Sequence, residues 1–505
     1  MLAAVTTFAI DGVETRRVAA ECDIRLGLPS FTVVGLADKA VREARERVRA
    51  AITNSGFEFP QKRITVNLAP AYLRKEGPHF DLALAIAVLA ASGQLDPSAL
   101  EDCAVAGELG LDGLLRPVRG ALALAEGTRR CGLARLVVPH ARAREAALVE
   151  DLTVLGAESL RETVDLIRGA VEPPPLPAEP PRAAGEADDG LDLSDVRGHN
   201  GLVEGVVVAV AGGHNLFLHG PPGTGKTMLA RRIPDLLPPL SRSEAIEVTR
   251  IHSIAGLHVG GGLITERPFR APHHLLSASG LVGGGTTPQP GENTLAHRGV
   301  LFLDELSEFN RGALEAMRQP LEDGRVVVVR SQRVLVFPTR AMLVAASNPC
   351  PCGLEGERCR CSAAEVARHA RRLSGPLLDR LDVSLHVPRP SGAALRAEAA
   401  PSSASVRERV IAARERQRLR LRGTGATCNA EMTPAMLREL AAVAPSARRR
   451  LYELHDARDL SARGHHRVLR VARTIADLQA SDTVGPEHVH AALVLRTDPA
   501  EAVAA

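Results

Sequence analysis

The stretch GPPGTGKT, residues 220–227, decides the fold, because it matches the phosphate-binding pattern G-x-x-x-x-G-K-[ST] at every fixed position. The apolar run NLFLH (215–219) before it predicts a buried strand, and MLARRI (228–233) after it predicts a helix. In such a unit, glycines let backbone N–H groups curl around phosphate oxygens at the N-terminus of the helix. We therefore predict a nucleotide-binding loop made of Gly220, Pro221, Pro222, Gly223, Thr224, Gly225, Lys226 and Thr227.

Two side chains of this loop and two that follow a later apolar run have the chemistry of ATP hydrolysis. Lys226 is expected to reach the β and γ phosphates, and the Thr227 hydroxyl to hold Mg²⁺. A second apolar run, GVLFL (299–303), predicts a buried strand that ends in two carboxylates. Asp304 is predicted to hold the Mg²⁺ shell, and Glu305 to polarise the attacking water.

Two changes in composition divide the chain into three parts. The proline density of residues 171–190 excludes helix and strand interiors and predicts a linker. Before it, residues 1–170 alternate short strand-like runs with helical patterns, which predicts an α/β domain. After it, the apolar runs of residues 191–395, which include AMLVAA (341–346), predict a parallel sheet covered on both faces. Residues 396–505 are rich in Arg and Ala and predict an all-helical domain.

The bulk composition excludes several classes of protein. At 505 residues the chain is too long for one core, and its net charge of +3 does not by itself select a polyanionic partner. The N-terminus lacks the basic and apolar regions of a signal peptide. No uncharged apolar run reaches the roughly 18 residues of a membrane span, and the longest apolar segment (82–95) predicts a buried helix. We therefore expect a cytoplasmic protein without a membrane partner.

Four of the eight cysteines lie in two C-x-C pairs within SNPCPCGLEGERCRCS (347–362), at Cys350, Cys352, Cys359 and Cys361. Without an export signal, reduced thiols or metal ligands are favoured over a disulfide framework. Four thiolates can surround a zinc ion, although C-x-C is tighter than the usual C-x₂-C spacing and Pro351 stiffens the first pair. Three interpretations stay open: a structural zinc site, unligated reduced thiols, and a redox switch.

The second half of the chain resembles the magnesium-chelatase-like AAA+ ATPases of the ComM/YifB family. The similar stretches, in family order from about residue 195 to 480, are GPPGTGKTMLARRIP, RPFRAPHH, LVGGG, PGENTLAHRGVLFLDEL, MRQPLEDGRV, ASNPCPCG, SGPLLDRLD and HRVLRVARTIADL. The resemblance implies a P-loop NTPase AAA+ core with a helix-2 insert and a presensor hairpin (191–395), followed by a helical lid (396–505). Residues 1–170 resemble the Lon-protease-like, ribosomal S5-like α/β domain of this family.

The same resemblance implies roles for three further residues. Asn348 is similar to sensor 1, whose amide holds the attacking water near the γ-phosphate. Arg380 in GPLLDRLD resembles the arginine finger that stabilises charge on ATP bound to the neighbouring subunit, which implies a homohexameric ring. Arg463 resembles sensor 2, and Arg467, four residues on and on the same helix face, is its rival for that role.

A predicted hairpin, VVVVRSQRVLVF (326–337), carries Arg330 and Arg333 at its tip. In related ring motors such presensor hairpins grip the DNA backbone, so the resemblance implies DNA contacts by these two arginines. The chain has no Trp, two Tyr and ten Phe, which leaves few side chains on which bases could stack. Arginine contacts to phosphates are therefore expected to dominate any DNA binding.

A long Gly- and His-rich insertion (249–298) separates the two ATP motifs. The resemblance implies that it forms a pore-facing element. His273 and His274 lack further ligands at metal-binding spacing, so we interpret them as loop structure or pore contacts.

The Lon-like resemblance raises the question of proteolysis. Residues 76–93 are similar to the Lon segment that bears the nucleophilic serine, and residues 107–122 to the segment that bears its lysine. The serine position falls on His79 and the lysine position on Leu122. Without a hydroxyl nucleophile or an amine base, Ser–Lys hydrolysis cannot proceed. We expect the fold to be retained for binding or ring assembly.

Together these features predict a hexameric ATP- and Mg²⁺-dependent DNA motor. The resemblance implies a branch-migration helicase or translocase that acts on branched or single-stranded DNA in recombination or natural transformation. The ATPase prediction depends on the residues themselves, and the DNA prediction depends on the family. The alternatives are a motor subunit of the magnesium-chelatase type and an ATP-dependent remodelling factor, while the missing dyad disfavours an ATP-dependent protease.

Overall fold

The computed structural model describes residues 2–36, 38–178, 191–197, 200–258, 261–285, 288–330, 333–373, 377–396, 399–457 and 460–496. The chain divides into two units. The first comprises residues 1–183, 242–264 and 329–336, and the second comprises residues 184–241, 265–328 and 337–505. Most of the predicted linker (171–190) lies outside the described residues.

The first unit is built on a mixed sheet. Its strands are β1 (Leu2–Asp11), β2 (Glu14–Arg25), β3 (Ser30–Val34), β4 (Arg63–Ala69), β5 (Cys103–Val105), β6 (Glu108–Leu109), β7 (Leu115–Arg116), β8 (Arg135–Pro139) and β9 (Thr153–Ala157). Its first helices are α1 (Lys39–Asn54), α2 (Asp81–Ala91), α3 (Ala121–Arg130), α4 (His140–Ala146) and α5 (Leu160–Arg168). Seven strands form one sheet in the order β3-β4-β2-β1-β5-β8-β9. Strands β1, β2 and β4 pair antiparallel, and the remaining neighbours pair parallel.

Helix α2 forms the centre of the first unit's core. It is the segment that the sequence predicts as a buried helix, and all of its residues are buried. It packs against β1 and β2. Helix α1, which lies beside α2, begins where the Asp38 carboxylate accepts a hydrogen bond from the N–H of Val41 at 2.8 Å.

The remaining elements follow in chain order. They are α6 (Asn200–Gly212), β10 (Leu216–His219), α7 (Lys226–Leu236), α8 (Arg242–Ile254), β11 (Phe269–Arg270), α9 (Ala278–Val282), β12 (Gly283–Gly284), β13 (Gln289–Pro290), α10 (Glu292–Leu295), β14 (Val300–Leu303), α11 (Arg311–Ala316), α12 (Arg318–Asp323), β15 (Arg325–Arg330), β16 (Arg333–Pro338), β17 (Met342–Ser347), α13 (Ala363–Leu373), β18 (Val383–His386), α14 (Gly392–Leu395), α15 (Ser403–Arg420), α16 (Pro434–Leu440), α17 (Pro445–Asp456), α18 (Ala462–Leu478) and α19 (Pro486–Val494). Helix α8 belongs to the first unit.

A five-stranded sheet organises the second unit. Its order is β11-β14-β17-β10-β18, and every neighbouring pair is parallel. The strands β10, β14 and β17 are buried throughout, as a sheet covered on both faces requires. The parallel sheet predicted from the three apolar runs is therefore confirmed.

The described residues after β18 form helices α14 to α19 with isolated bridges, which confirms the predicted helical C-terminal domain. Helix α18 packs against α6, α15 and α19. Its fully buried Asp477 accepts hydrogen bonds from both Arg420 and Arg473, so this buried carboxylate is paired. Among the described residues, no helix combines the length and apolarity that crossing a membrane requires.

Candidate active site

The loop 220–227 lies between β10 and α7, at the carboxyl edge of the parallel sheet. Gly220 must be glycine, because an added Cβ would lie 2.2 Å from the carbonyl oxygen of Val387. Gly225 has a φ of 94° and directly precedes α7. The first N–H groups of α7 have no partner within the helix, and a helix N-terminus of this kind favours a phosphate group.

Lys226 connects this loop to a neighbouring strand. Its buried Nζ donates to the carbonyl oxygens of Gly220 at 2.6 Å and Pro221 at 2.8 Å, and to Asn348 Oδ1 at 3.2 Å. Strands β10 and β17 run parallel with His219 opposite Ser347, which brings Asn348 beside the loop. Burial lowers the pKa of Lys226. The residue predicted as sensor 1 thus contacts the lysine predicted to bind phosphate.

The two predicted carboxylates follow β14. Thr227 Oγ1 donates to Asp304 Oδ2 at 2.8 Å, so the hydroxyl and the carboxylate predicted to share Mg²⁺ are already adjacent. Asp304 Oδ1 also accepts the N–H of Glu305 at 2.9 Å. Glu305 has a φ of 51°, a left-handed conformation that is uncommon for glutamate and turns the chain sharply after the strand.

His274 lies beside the carboxylate of Glu305. The sequence analysis interprets this histidine only as loop structure or a pore contact. Nδ1 of His274 is 3.4 Å from the Glu305 carboxylate. The His274 ring packs against His273 and lies edge-on to Phe309, with centroid distances of 4.1 and 6.4 Å. The sequence RPFRAPHH carried no spacing signal for this contact, since the two residues are brought together by the path of the insertion.

The predicted arginine finger lies in a cluster of charged residues. The Arg380 side chain is 9% exposed and pairs with Glu322, and Arg463 lies 4.0 Å from the same carboxylate. Burial lowers the pKa of Arg380, and the charges of Arg318, Arg463 and Arg467 lower it further. Arg463 is 67% exposed, whereas Arg467 is buried and donates to a main-chain carbonyl at 3.2 Å. The choice between them as sensor 2 stays a prediction.

The four clustered cysteines converge in the loop between β17 and α13. Their sulfur atoms lie within 4.8 Å of one another. Burial raises the pKa of Cys350 to about 12, whereas hydrogen bonds from the backbone, foremost that of Arg360, lower the pKa of Cys352 to about 6. Cys359 and Cys361 are half-buried.

The predicted DNA-binding arginines terminate the strands of a hairpin. Arg330 ends β15 and Arg333 begins β16, and these two strands form a two-stranded sheet. The side chains of both arginines lie outside the part of the structure that is described, so their contacts with DNA stay a prediction. Next to them, Val329 and Val334 are exposed, whereas Leu335 is buried.

In the first unit, the two positions predicted to match the Lon dyad, His79 and Leu122, are both buried. His79 is 7% exposed, its Nε2 donates to the carbonyl oxygen of Phe8 at 3.0 Å, and burial lowers its pKa to about 4. Leu122 is fully buried in α3, and its N–H donates to the Glu145 carboxylate at 2.8 Å. Neither side chain offers a hydroxyl nucleophile or an amine base.

A parallel sheet with a phosphate-binding loop after β10, and carboxylates after β14, which is separated from β10 by β17, defines a P-loop NTPase of the AAA+ class. The groups at this site fit ATP with Mg²⁺. The N–H groups at the start of α7 and the Lys226 ammonium suit phosphate oxygens, and the Thr227 hydroxyl beside the Asp304 carboxylate suits Mg²⁺. Comparison with family models gives three matches: magnesium chelatase, subunit ChlI, at residues 192–395; subunit ChlI of Mg-chelatase at 20–142; and the ChlI C-terminal model at 400–496.

Relatives that match nearly the whole chain show to which family of magnesium-chelatase-like proteins it belongs. The chain is 43% identical to the competence protein ComM of Haemophilus influenzae, over 98% of this chain and 97% of that protein. It is 43% identical to the uncharacterised protein YifB of Escherichia coli, with the same coverage. An uncharacterised protein of Mycobacterium tuberculosis is 44% identical over 97% of both chains. The chain therefore belongs to the ComM/YifB family of magnesium-chelatase-like AAA+ proteins.

Proposed function

We propose that this protein is an ATP- and Mg²⁺-dependent DNA motor that works as a homohexamer in the cytoplasm. The observation that carries the proposal is the convergence of Lys226, Thr227, Asp304 and Asn348 at one edge of the sheet, through hydrogen bonds of 2.8 and 3.2 Å. These are the residue types that phosphoryl transfer from ATP requires. The proposed cofactors are ATP and Mg²⁺, with a zinc ion at the four-cysteine cluster as a structural metal.

Each residue of the site has a distinct task in this proposal. The N–H groups of the loop and the Lys226 ammonium hold the β and γ phosphates, while Thr227 and Asp304 hold Mg²⁺. Bound Mg²⁺ neutralises the charge that develops on the phosphate oxygens. Glu305 polarises the attacking water, and Asn348 orients it. Arg380 completes the site of the neighbouring subunit as an arginine finger.

The DNA part of the proposal is supported by the family and by the hairpin that carries two arginines. One full-length relative is named competence protein ComM, which supports a role of this chain in natural transformation. The hairpin that ends at Arg330 and Arg333 offers arginines for backbone contacts that need no base stacking. We therefore propose ATP-driven branch migration, in recombination or natural transformation, on branched or single-stranded DNA of any sequence.

Strand exchange on a synthetic four-way DNA junction tests this function. The wild-type protein is expected to separate the junction into two duplexes only with ATP and Mg²⁺. Lys226→Ala removes a phosphate contact and is expected to abolish ATP binding. Glu305→Gln is expected to bind ATP while hydrolysis falls by about 100-fold or more, because the polarising carboxylate is lost. Both variants should leave the junction intact.

Glu308→Gln is the matched control, because this exposed glutamate follows the same strand and lies outside the ATP site. It should keep wild-type hydrolysis and strand exchange. Wild-type protein that hydrolyses ATP but moves no strands would contradict the DNA motor while leaving the ATPase intact. Wild-type protein that neither binds nor hydrolyses ATP would contradict the whole proposal.

A second candidate function is a motor subunit of the magnesium-chelatase type. It is favoured by the three family models, all of which are named after a chelatase subunit. The two functions differ in what stimulates hydrolysis. A branched or single-stranded DNA cofactor should raise the ATPase rate of a DNA motor, whereas a chelatase motor should respond to a tetrapyrrole-binding partner.

A further inference from the structure

The four-cysteine cluster of the second unit has the geometry of a metal site. Sγ of Cys350 lies 3.3 Å from that of Cys352 and 3.6 Å from that of Cys359, and the last two are 3.7 Å apart. Zn–S bonds of about 2.3 Å in a tetrahedron give S···S edges of about 3.8 Å. Disulfide sulfurs lie about 2.0 Å apart. Three of the sulfur atoms therefore have nearly the spacing of thiolates around one ion, and the fourth, that of Cys361, lies within 4.8 Å of them.

We propose that this cluster binds one zinc ion and that the ion holds the nucleotide-binding loop in position. The second half of this inference rests on the proposed ATP site. Tetrahedral sets of four thiolates are typical of zinc or iron–sulfur centres, and zinc suits a site with no redox task in ATP hydrolysis. The ligands come from the segment that directly follows Asn348, so the metal lies beside the ATP site and does no chemistry in it.

The turn between the two cysteine pairs rests on the nucleotide-binding loop. The N–H of Gly353 donates to the carbonyl oxygen of Cys350 at 3.0 Å, which folds the chain back within the cluster. A Cβ added to Gly353 would lie 2.8 Å from Cδ and 3.0 Å from Cγ of Pro222. No side chain separates the metal-binding turn from the loop at this point.

A second contact links the same segment to the strand that leads into the loop. Glu355 pairs with Nε2 of His386 at 2.9 Å. The His386 ring lies 5.1 Å, centroid to centroid, from the ring of His219, which immediately precedes Gly220. The segment thus contacts the loop at Pro222 and reaches its first residue through two histidine rings.

The start of the segment is fixed at the predicted sensor 1. The carbonyl oxygen of Asn348 lies 3.0 Å from Nε2 of His369 in α13, and the Asn348 side chain contacts Lys226. The residues between Asn348 and α13 form only one short 3₁₀ turn and no strand or α-helix. Four metal–thiolate bonds would therefore supply most of the rigidity of this segment. Without the ion, we expect Gly353 and Glu355 to leave the loop.

Metal content and nucleotide affinity of the purified full-length protein test this inference. Elemental analysis after dialysis against zinc is expected to find about one zinc per chain. Cys352→Ser with Cys359→Ser should lose the metal, whereas Cys131→Ser, at an exposed cysteine outside the cluster, should keep it. Stripping zinc from the wild type with a chelator should weaken binding of a fluorescent ATP analogue by about 10-fold or more. Restoring zinc should restore affinity.

A pair of glycine variants separates the metal from its effect on the loop. Gly353→Ala keeps all four cysteines and its zinc but drives a methyl group into Pro222, so nucleotide binding should weaken. Gly356→Ala is matched to it, because Gly356 has a similar φ of 58° with nothing within 4 Å of an added Cβ. It should bind nucleotide like the wild type. This pair remains informative if the cysteine variants fail to fold.

The inference is overturned if the protein holds no zinc, holds iron instead, or contains disulfides at these cysteines by mass spectrometry. It is also overturned if the stripped protein binds the ATP analogue as tightly as the zinc-bound protein. A failure of the proposed ATP site looks different. In that case the wild type would contain zinc but bind no nucleotide under any condition, and Lys226→Ala would change nothing.

Discussion

At the scale of a single residue, the buried His79 makes the stability of the first unit depend on pH. Its pKa is about 4 in the folded chain, because burial disfavours the charged ring, against 6.5 for an exposed histidine. Between these values the unfolded chain binds more protons than the folded chain. The free energy of unfolding therefore falls as the pH drops through 6.5 towards 4, by about 2 kcal/mol at pH 5, and the effect of His79 vanishes above about pH 7.5.

His79→Gln tests this expectation, since glutamine can donate to the carbonyl oxygen of Phe8 but does not titrate. Hydrogen exchange of the α2 amides reports the opening of this unit at pH 7.5 and pH 5. The wild type should lose about 2 kcal/mol more stability than the variant between these two pH values. Equal losses would mean that His79 is protonated in the folded chain.

The sequence could predict contacts between motifs that follow strands of the same parallel sheet. The adjacency of Thr227 and Asp304 follows from the order of parallel strands, whose carboxyl ends meet at one edge of the sheet. The contact between His274 and Glu305 could not be predicted in this way, because it depends on the path of an irregular insertion. No period or spacing in the sequence encodes such a path.

At the scale of elements, helix α8, whose last residues begin the predicted insertion (249–298), belongs to the first unit. The helix lies against α3 and α4 of the first unit. Ser253 Oγ accepts the N–H of Gly120 at 3.0 Å and donates to Glu145, and Arg250 pairs with Glu126 at 3.1 Å. Its apolar residues, which include Ile254, complete this interface.

The loss of Ser253 should destabilise this interface. Ser253→Ala leaves the buried N–H of Gly120 without an acceptor and removes one donor from the fully buried Glu145 carboxylate. Orphaned buried groups of this kind cost about 1–3 kcal/mol. Urea unfolding should show that loss. A Ser253→Ala variant as stable as the wild type would show that the hydrogen bonds of Ser253 do not stabilise this interface.

The strands and helices themselves were largely predictable. Continuous apolar runs identify β10, β14 and β17 to within one residue at each end, because a doubly covered sheet leaves no polar position to blur the pattern. The side on which α8 docks could not be predicted. Its docking depends on Ser253 and Glu145, which lie 108 positions apart in the sequence. A single sequence does not reveal such a pairing.

At the scale of the whole molecule, the proposed ring depends on Arg380. Its side chain is 9% exposed and pairs with Glu322 of the same chain, beside Arg463. Glu322 therefore neutralises Arg380 within a single chain. The role of Arg380 at a neighbouring subunit is implied by the family resemblance. A measurement on mixed subunits can decide it.

We expect both Arg380→Ala and Glu305→Gln to bind ATP. The hydrolysis rate should fall by about 1,000-fold or more in Arg380→Ala and by about 100-fold or more in Glu305→Gln. If Arg380 acts on ATP bound to the neighbouring subunit, mixing the two variants restores activity. In a randomly mixed ring, about a quarter of the interfaces then join a subunit with an intact Glu305 to a neighbour with an intact Arg380. Mixed rings are verified by native mass spectrometry. Mixing Arg380→Ala with Lys226→Ala should restore activity for the same reason, whereas two preparations of Arg380→Ala should not. Mixed rings that hydrolyse ATP no faster than the separate variants would show that each chain supplies its own arginine.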